Sequence, residues 1–456
     1  MSAVLTSIRQ PPVFRSGLIG GTTVAVATLG AVAVYSPRYA LFAVIGGALV
    51  AVAFWRLAIG VALFAVLTFP QHLPGSLGAG ATLAKPLGFV LALAWIASAV
   101  SRPASVRLLS RDQPALFWAV TAFVVLAIVS VAWAPNTARV RYDVQRLLLD
   151  AVLLLVVYTA ASTATALRRI AWAYLAGSAL TAAYSVASGG YGRNGRLNAL
   201  FDPNLFAALL IPAILVAFFV LLTADSRRTR SAAAAVLLLD SIAAVLTQSR
   251  GGVVGLAVAF LAAVVVAGRA RPRVFAAVLV VVAIGIGYYL TYAPAHLHVS
   301  GSLAQQSSGR SDEWRIALRM FANHPLNGVG LGNYVIVEPS YSTLSMNLNF
   351  VRFVVRTPLV AHNSFLEVAA ELGLVGIVLF VAILSLAARA AGRALAALAQ
   401  TGSRLEFYAR GLLAGAIGMF VAYAFLSAEY EKQLWLVLGL LASVSALSRR
   451  PAPADG

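Results

Sequence analysis

An all-α, polytopic integral membrane protein is the fold class this sequence predicts, and three observations predict it. Of its 456 residues, 61% are hydrophobic and only 11% charged. Apolar stretches of about 15 to 20 residues, close to the length a membrane-crossing helix needs, recur from one end to the other with short polar breaks. The arginines gather in alternate breaks, which is how the orientation of spanning helices is written. A soluble domain of this length exposes far more charge.

Taken in order, the apolar runs predict spanning helices over residues 17–36, 39–54, 57–70, 84–101, 115–133, 147–162, 169–187, 204–223, 232–247, 251–268, 274–292, 372–390, 409–427 and 433–448. That makes 14 helices, or 12 if the short runs between 39 and 70 form a tilted or re-entrant piece. The first run lacks a small-residue cleavage site ahead of a soluble domain, so it reads as a retained helix. The whole chain, 1–456, is expected to form one transmembrane domain, with the Pro-rich end 449–456 a disordered cytoplasmic tail.

Cysteine is absent, which excludes disulfides, thiolate nucleophiles and Cys-based zinc sites. No cofactor and no metal are expected. The net charge of +19 would suggest nucleic acid in a soluble protein. Here the arginines sit between apolar runs, so the partners expected are membrane lipids and a membrane-bound substrate, and no nucleic acid.

One set of alternate breaks holds 20 of the 34 basic residues and four of the 15 acidic ones. That set, which includes Arg168, Arg169, Arg227, Arg228, Arg230 and Arg404, is expected to be cytoplasmic, with both termini. The opposite breaks hold the remaining 14 basic residues and all five histidines, so their arginines are not explained by topology. The longest polar stretch, 293–371, belongs to this outer set. Within it Trp314, Ala317, Leu318 and Phe321 recur at helical spacing and predict a short amphipathic surface helix ended by His324-Pro325. The following "NGVGLGNY" has the wrong spacing for a dinucleotide loop and no strand before it, so Gly328, Gly330 and Gly332 read as a tight turn.

Three outer positions carry charge that needs a reason. In "GGYGRNGRLNALFDPNLFA", Arg193 and Arg196 precede a helix that Asp202 and Pro203 are suited to open. In "LTQSRGGVVGL", Arg250 occupies a hairpin that requires its glycines and serine but no guanidinium. Arg139, Arg141 and Arg146 form a third basic group. Ordinary readings stand beside these: snorkelling to lipid headgroups for Arg250, or an ion pair with Asp202 for Arg193 or Arg196. A guanidinium meets phosphate oxygens through a fork of donors and stays charged at physiological pH, so an anionic lipid headgroup is the ligand these sites suit.

Asp240 falls inside an apolar run, where a hydrogen bond to a neighbouring helix competes with a proton-relay role. In "AHNSFLEVAAELGLVGIVLF", His362 has the chemistry of a general base near neutral pH, and it also stands where a helix is capped, beside Asn363 and Ser364. Glu367 and Glu371 fall in the first turns of that helix, where carboxylates are favoured structurally.

The pieces "GRNGRLNALFDPN", "LTQSRGG", "GRSDEWRIALRMFANHPLNGVGLGNY" and "AHNSFLEVAAELGLVGI", in that order, resemble the O-antigen ligase and O-antigen polymerase family of bacterial envelope glycosyltransferases. The resemblance covers roughly residues 190 to 390. It implies transfer of a glycan from undecaprenyl diphosphate to an acceptor hydroxyl, on lipid A core or on another lipid-linked repeat, at the outer face of the inner membrane and without a metal. It assigns diphosphate binding to Arg196, with Arg193 as the other candidate in "RNGR", and to Arg250, and makes His362 the essential histidine. The stretch ahead of His362 matches no family motif, and its Arg352 and Arg356 are candidates for acceptor or headgroup contacts. The alternative is a transporter or flippase of an anionic envelope lipid using the same arginines as a funnel.

Overall fold

The computed structural model describes residues 46–48, 50–70, 84–101, 107–192, 195–197, 201–292, 310–344 and 360–449. The expected helix 17–36, half of 39–54, Arg193, Arg352, Arg356 and the 450–456 part of the tail lie outside the described residues.

Fourteen helices concern the architecture: α1 (Leu57–Leu67), α2 (Ala84–Ser101), α3 (Pro114–Val129), α4 (Thr137–Ala160), α5 (Ala164–Ala187), α6 (Pro203–Thr223), α7 (Arg227–Leu246), α8 (Arg250–Val266), α9 (Arg271–Tyr292), α10 (Arg310–Asn323), α11 (Tyr334–Leu344), α12 (Ser364–Gln400), α13 (Leu405–Ala422) and α14 (Lys432–Ser448). The fold is all-α. Six helices among the described residues are long and apolar enough to cross a membrane, and the α8–α9 pair, bent by 109°, is a seventh if it counts as one span. The 12 to 14 spans expected from apolar runs included shorter helices, among them α1 and α14, that this length leaves out.

Helix α6 shows why a hydrophobic stripe is absent from the central spans. Its residues Phe206 to Val220 are all buried, so it is apolar all round and enclosed by neighbours. Helix α13 packs along α6 and α8, and small residues set that closeness. A Cβ on Gly415 would lie 2.6 Å from Pro212 Cα, and one on Gly255 would lie 2.7 Å from the Gly418 carbonyl. Without a hydrophobic driving force between helices in lipid, such close backbone approach carries much of the packing.

Helix α12 begins eight residues before the expected start of its apolar run, and it is broken at Gly373, which has φ +66 and ψ −163. The glycine-rich turn docks into that break. Val329 N–H donates to Ala370 O at 2.9 Å, Gly330 N–H to Glu371 O at 2.8 Å, and Leu374 N–H to Pro325 O at 2.7 Å. The carbonyls freed by the kink are thereby satisfied. The turn is therefore a packing device, as its poor match to a phosphate loop suggested.

The amphipathic helix forms as α10 and ends at Asn323, directly before His324-Pro325. Its buried side differs from the expected one. Ile316, Ala317 and Met320 pack with Val329, Tyr334 and Ala370, whereas Leu318 is 52% exposed. The reason is Asp312 and Glu313, buried on the same side as Ile316: Glu313 accepts from the Tyr334 hydroxyl at 3.0 Å and rotates the helix toward α11 and α12.

Candidate functional site

Four helix N-termini meet at one end of the molecule: those of α6, α8, α10 and α12. Each contributes local chemistry to the same place. Asp202 caps α6, its Oδ1 accepting from Asn204 N–H at 2.9 Å and Leu205 N–H at 3.2 Å. Ser249 caps α8 by accepting from Gly252 N–H at 3.1 Å. Asn363 caps α12 by accepting from Phe365 and Leu366 N–H at 3.0 and 3.1 Å. Arg310 is the first residue of α10. The positive ends of helix dipoles favour an anion at such a meeting point.

Two hydrogen bonds help to hold Arg196. Its Nε donates to Thr247 O at 2.9 Å and its Nη2 to Asn204 Oδ1 at 2.9 Å. The same Asn204 oxygen accepts from Ser249 Oγ at 3.0 Å, so one side-chain amide ties the Arg196 loop to the cap of α8. Leu197 N–H adds a bond to Leu246 O at 3.0 Å. The ordinary reading in which Arg196 bonds directly to Asp202 is replaced by this clasp, and Asp202 acts on Arg196 through its field.

Arg250 begins α8 and is exposed. Burial, followed by the opposing fields of Arg196 and Arg250, holds the Arg310 guanidinium below its usual range, with Asp202 the one attraction acting against them. Arg196 is likewise lowered, by burial and by Arg250. Three guanidiniums thus crowd one carboxylate. Among the described residues Asp202 is the carboxylate whose field acts on Arg196 and Arg310, so the field here is positive and suits an anion.

His362 shares this field. Its imidazole is held below the usual pKa first by burial and then by Arg310, with Asp202 pulling the other way. It remains neutral, and able to accept a proton, at neutral pH. Capping is done by Asn363, which leaves His362 without the helix-ending role that its position suggested. Glu367, buried in the first turn of α12, accepts from the Ala361 amide and from Ser427 Oγ, which fixes the backbone under His362. Glu371 accepts from Tyr334 N–H at 3.1 Å. Both carboxylates have the structural surroundings expected of them.

Among the described residues, two that are not glycine have left-handed backbone: Gln248 at φ +51 and His362 at φ +49. Gln248 stands in the turn between Thr247, which holds Arg196, and the α8 cap. Backbone strain in both segments of one site is a known mark of function, since only a constrained surrounding maintains it.

The structure brings Arg196, Arg250 and His362 into one electrostatic neighbourhood. It does not do so for the third basic group: Arg139 and Arg146 pair with buried Asp143 at 2.8 and 3.3 Å. Asp240 accepts from Ser178 Oγ of α5 at 2.8 Å, which is the helix-to-helix bond of the ordinary reading. Arg310 is the residue that motif reading missed. Its signal was present in "GRSDEW", where a cation at a helix start opposes the dipole while Asp312 and Glu313 already serve the first turn.

Residues 233–381, 149 of the 456, match the family model described as O-antigen ligase. The match takes in Arg250, Arg310 and His362 and supports the O-antigen ligase and polymerase family, and with it an O-antigen ligase-type, glycan-transferring membrane protein. No curated protein matches the chain.

Proposed function

We propose that this chain is a membrane glycosyltransferase that moves a glycan from undecaprenyl diphosphate to an acceptor hydroxyl at the outer face of the inner membrane, either as a ligase or as a polymerase of envelope polysaccharide repeats. The observation that carries the reading is the crowding of Arg196, Arg250 and Arg310 around Asp202 and His362 at four helix N-termini. Such a site suits a diphosphate and places a neutral imidazole beside it.

In the transfer, the acceptor O–H bond breaks and its proton passes to His362 as the oxygen attacks the anomeric carbon. The bond from that carbon to the diphosphate oxygen breaks, and undecaprenyl diphosphate departs with the electron pair. The guanidiniums stabilise the charge that develops on the leaving oxygen. Attack from the face opposite the leaving group inverts the anomeric centre. Arg196 is preferred over Arg193 for the diphosphate because Asn204 and Thr247 orient it. Arg352 and Arg356 stay candidates for acceptor or headgroup contacts.

The test is transfer by the purified protein from a defined undecaprenyl-diphosphate glycan to candidate acceptors, with mass analysis of the product. His362→Ala, Arg196→Ala and Arg250→Ala are each expected to leave inserted protein without transfer. Full transfer by all three would overturn the proposal, and movement of the intact lipid-linked glycan between leaflets without transfer would favour a flippase.

A further inference from the structure

A second positive region lies at the opposite end of α6, around a cavity of about 440 Å³. Asp202 caps α6 beside Arg196, and Val220 and Thr223 at the far end of α6 line the cavity. The 21 residues of α6 separate the two regions by about 30 Å, the apolar thickness of a bilayer.

Arg168, Arg169 and Arg404 line this cavity. So do residues near the N-termini of three helices, α5, α7 and α13. Thr163 caps α5 by accepting from Ala166 N–H at 3.1 Å. Ser226 and Arg404, at the cap positions of α7 and α13, make no side-chain cap bond, and both line the cavity. The first turn of α7 also carries Arg227, Arg228 and Arg230 and no acidic residue, the reverse of what a helix dipole favours.

Asp225 is the carboxylate in the cavity wall, with Arg404 Nη2 at 3.0 Å. Both side chains of that pair are about three-quarters exposed, at 74% and 77%, so the attraction is weak. The cavity thus holds an excess of positive charge. Its wall also carries the apolar side chains of Trp172, Val220 and Phe407 beside the hydroxyls of Thr165, Ser226 and Thr229, and the Trp172 ring is fixed by its Nε1 bond to the Tyr408 hydroxyl at 2.7 Å. Guanidiniums and the uncapped start of α7 beside apolar side chains fit a ligand with an anionic phosphate head and an acyl tail.

We propose that this cavity binds the phosphate headgroup of an anionic phospholipid at the membrane face opposite the candidate active site. The site stands on its own residues and does not depend on the transfer chemistry.

The experiment is native mass spectrometry and thermal unfolding of the full chain in detergent, with dioleoylphosphatidylglycerol, dioleoylphosphatidylcholine and soluble glycerol phosphate as probes. Phosphatidylglycerol is expected to be retained and to raise the unfolding temperature, and phosphatidylcholine is not. The triple variant Arg168→Gln, Arg169→Gln, Arg404→Gln is expected to weaken phosphatidylglycerol binding about tenfold or more. Thr229→Glu gives an independent arm, because a carboxylate in the first turn of α7 suits the helix while repelling phosphate. Retention of glycerol phosphate as tight as that of phosphatidylglycerol would assign the site to soluble phosphates and overturn the lipid. Equal retention of the two lipids, or wild-type phosphatidylglycerol binding by Thr229→Glu, would overturn the site whatever the stability of the triple variant.

Discussion

Arg196 Nη2 and Asn204 Oδ1 are joined at 2.9 Å, and with the Nε bond to Thr247 O this contact holds a guanidinium across the mouth of α6. Because the same oxygen also accepts from Ser249 Oγ at 3.0 Å, the geometry of Arg196 depends on a residue that need not touch a substrate. Asn204→Ala is expected to raise KM and lower kcat for a lipid-diphosphate donor, since the charge remains but its placement against the bound diphosphate and the developing leaving-group charge is lost. Arg196→Lys should behave similarly, keeping the charge without the fork of donors. Equal KM values for wild type, Asn204→Ala and Arg196→Lys in a transfer assay would sink this role for the clasp.

His362 has an unusual backbone as well as an unusual field, and a substitution can separate the two. At φ +49 an imidazole is strained where glycine is not. His362→Gly is therefore expected to abolish transfer while leaving the unfolding temperature unchanged or raised, by the equivalent of about 1 kcal/mol. His362→Ala loses transfer without that relief. A merely structural histidine would give the opposite result, a less stable protein with transfer retained, read by thermal unfolding and product formation on the same preparations.

The turn that fills the break in α12 is sensitive to one added carbon. Gly328 has φ +65, and a Cβ there would collide with the backbone of Glu371. Nothing flexible lies in the way, so the backbone itself must shift. Gly328→Ala is expected to destabilise by about 2 kcal/mol or more, from the left-handed conformation and the clash together. Size-exclusion and thermal unfolding read the effect, and a protein as stable as the wild type would show that the turn does not carry the kink.

Much of this was legible in the chain, and the boundary of legibility has physical causes. Apolar runs located α2 at its observed bounds and α6 to within one residue, because a buried span advertises itself by composition alone. They missed the start of α4 at Thr137, whose first turns carry Arg139, Arg141 and Asp143, since a charged helix that buries a carboxylate between two arginines has no apolar signature. Arg250 and His362 stood out as polar groups at the ends of apolar runs. Arg310 did not, because its neighbours form an ordinary amphipathic helix, and its importance arises only when α10 turns its first residue toward Asp202. No local pattern in the sequence encodes that approach, or the left-handed turn at Gln248.

The field around His362 makes a signed prediction about pH. Burial and then Arg310 lower its pKa below the usual value near 6.5, while Asp202 raises it. The folded protein therefore prefers the neutral imidazole. Stability from this group is present above the unfolded pKa and declines as pH falls below it, and the acid limb of kcat/KM should lie below pH 6.5. Arg310→Gln removes a charge that lowers the pKa, so its acid limb should move upward toward 6.5. Asp202→Asn removes the charge that raises it and should move the limb further down, with α6 still capped, because asparagine caps as well as aspartate. Opposite displacements of the limb in two variants cannot come from a general loss of stability. Displacement in the same direction, or none in either, would show that His362 is not the titrating base.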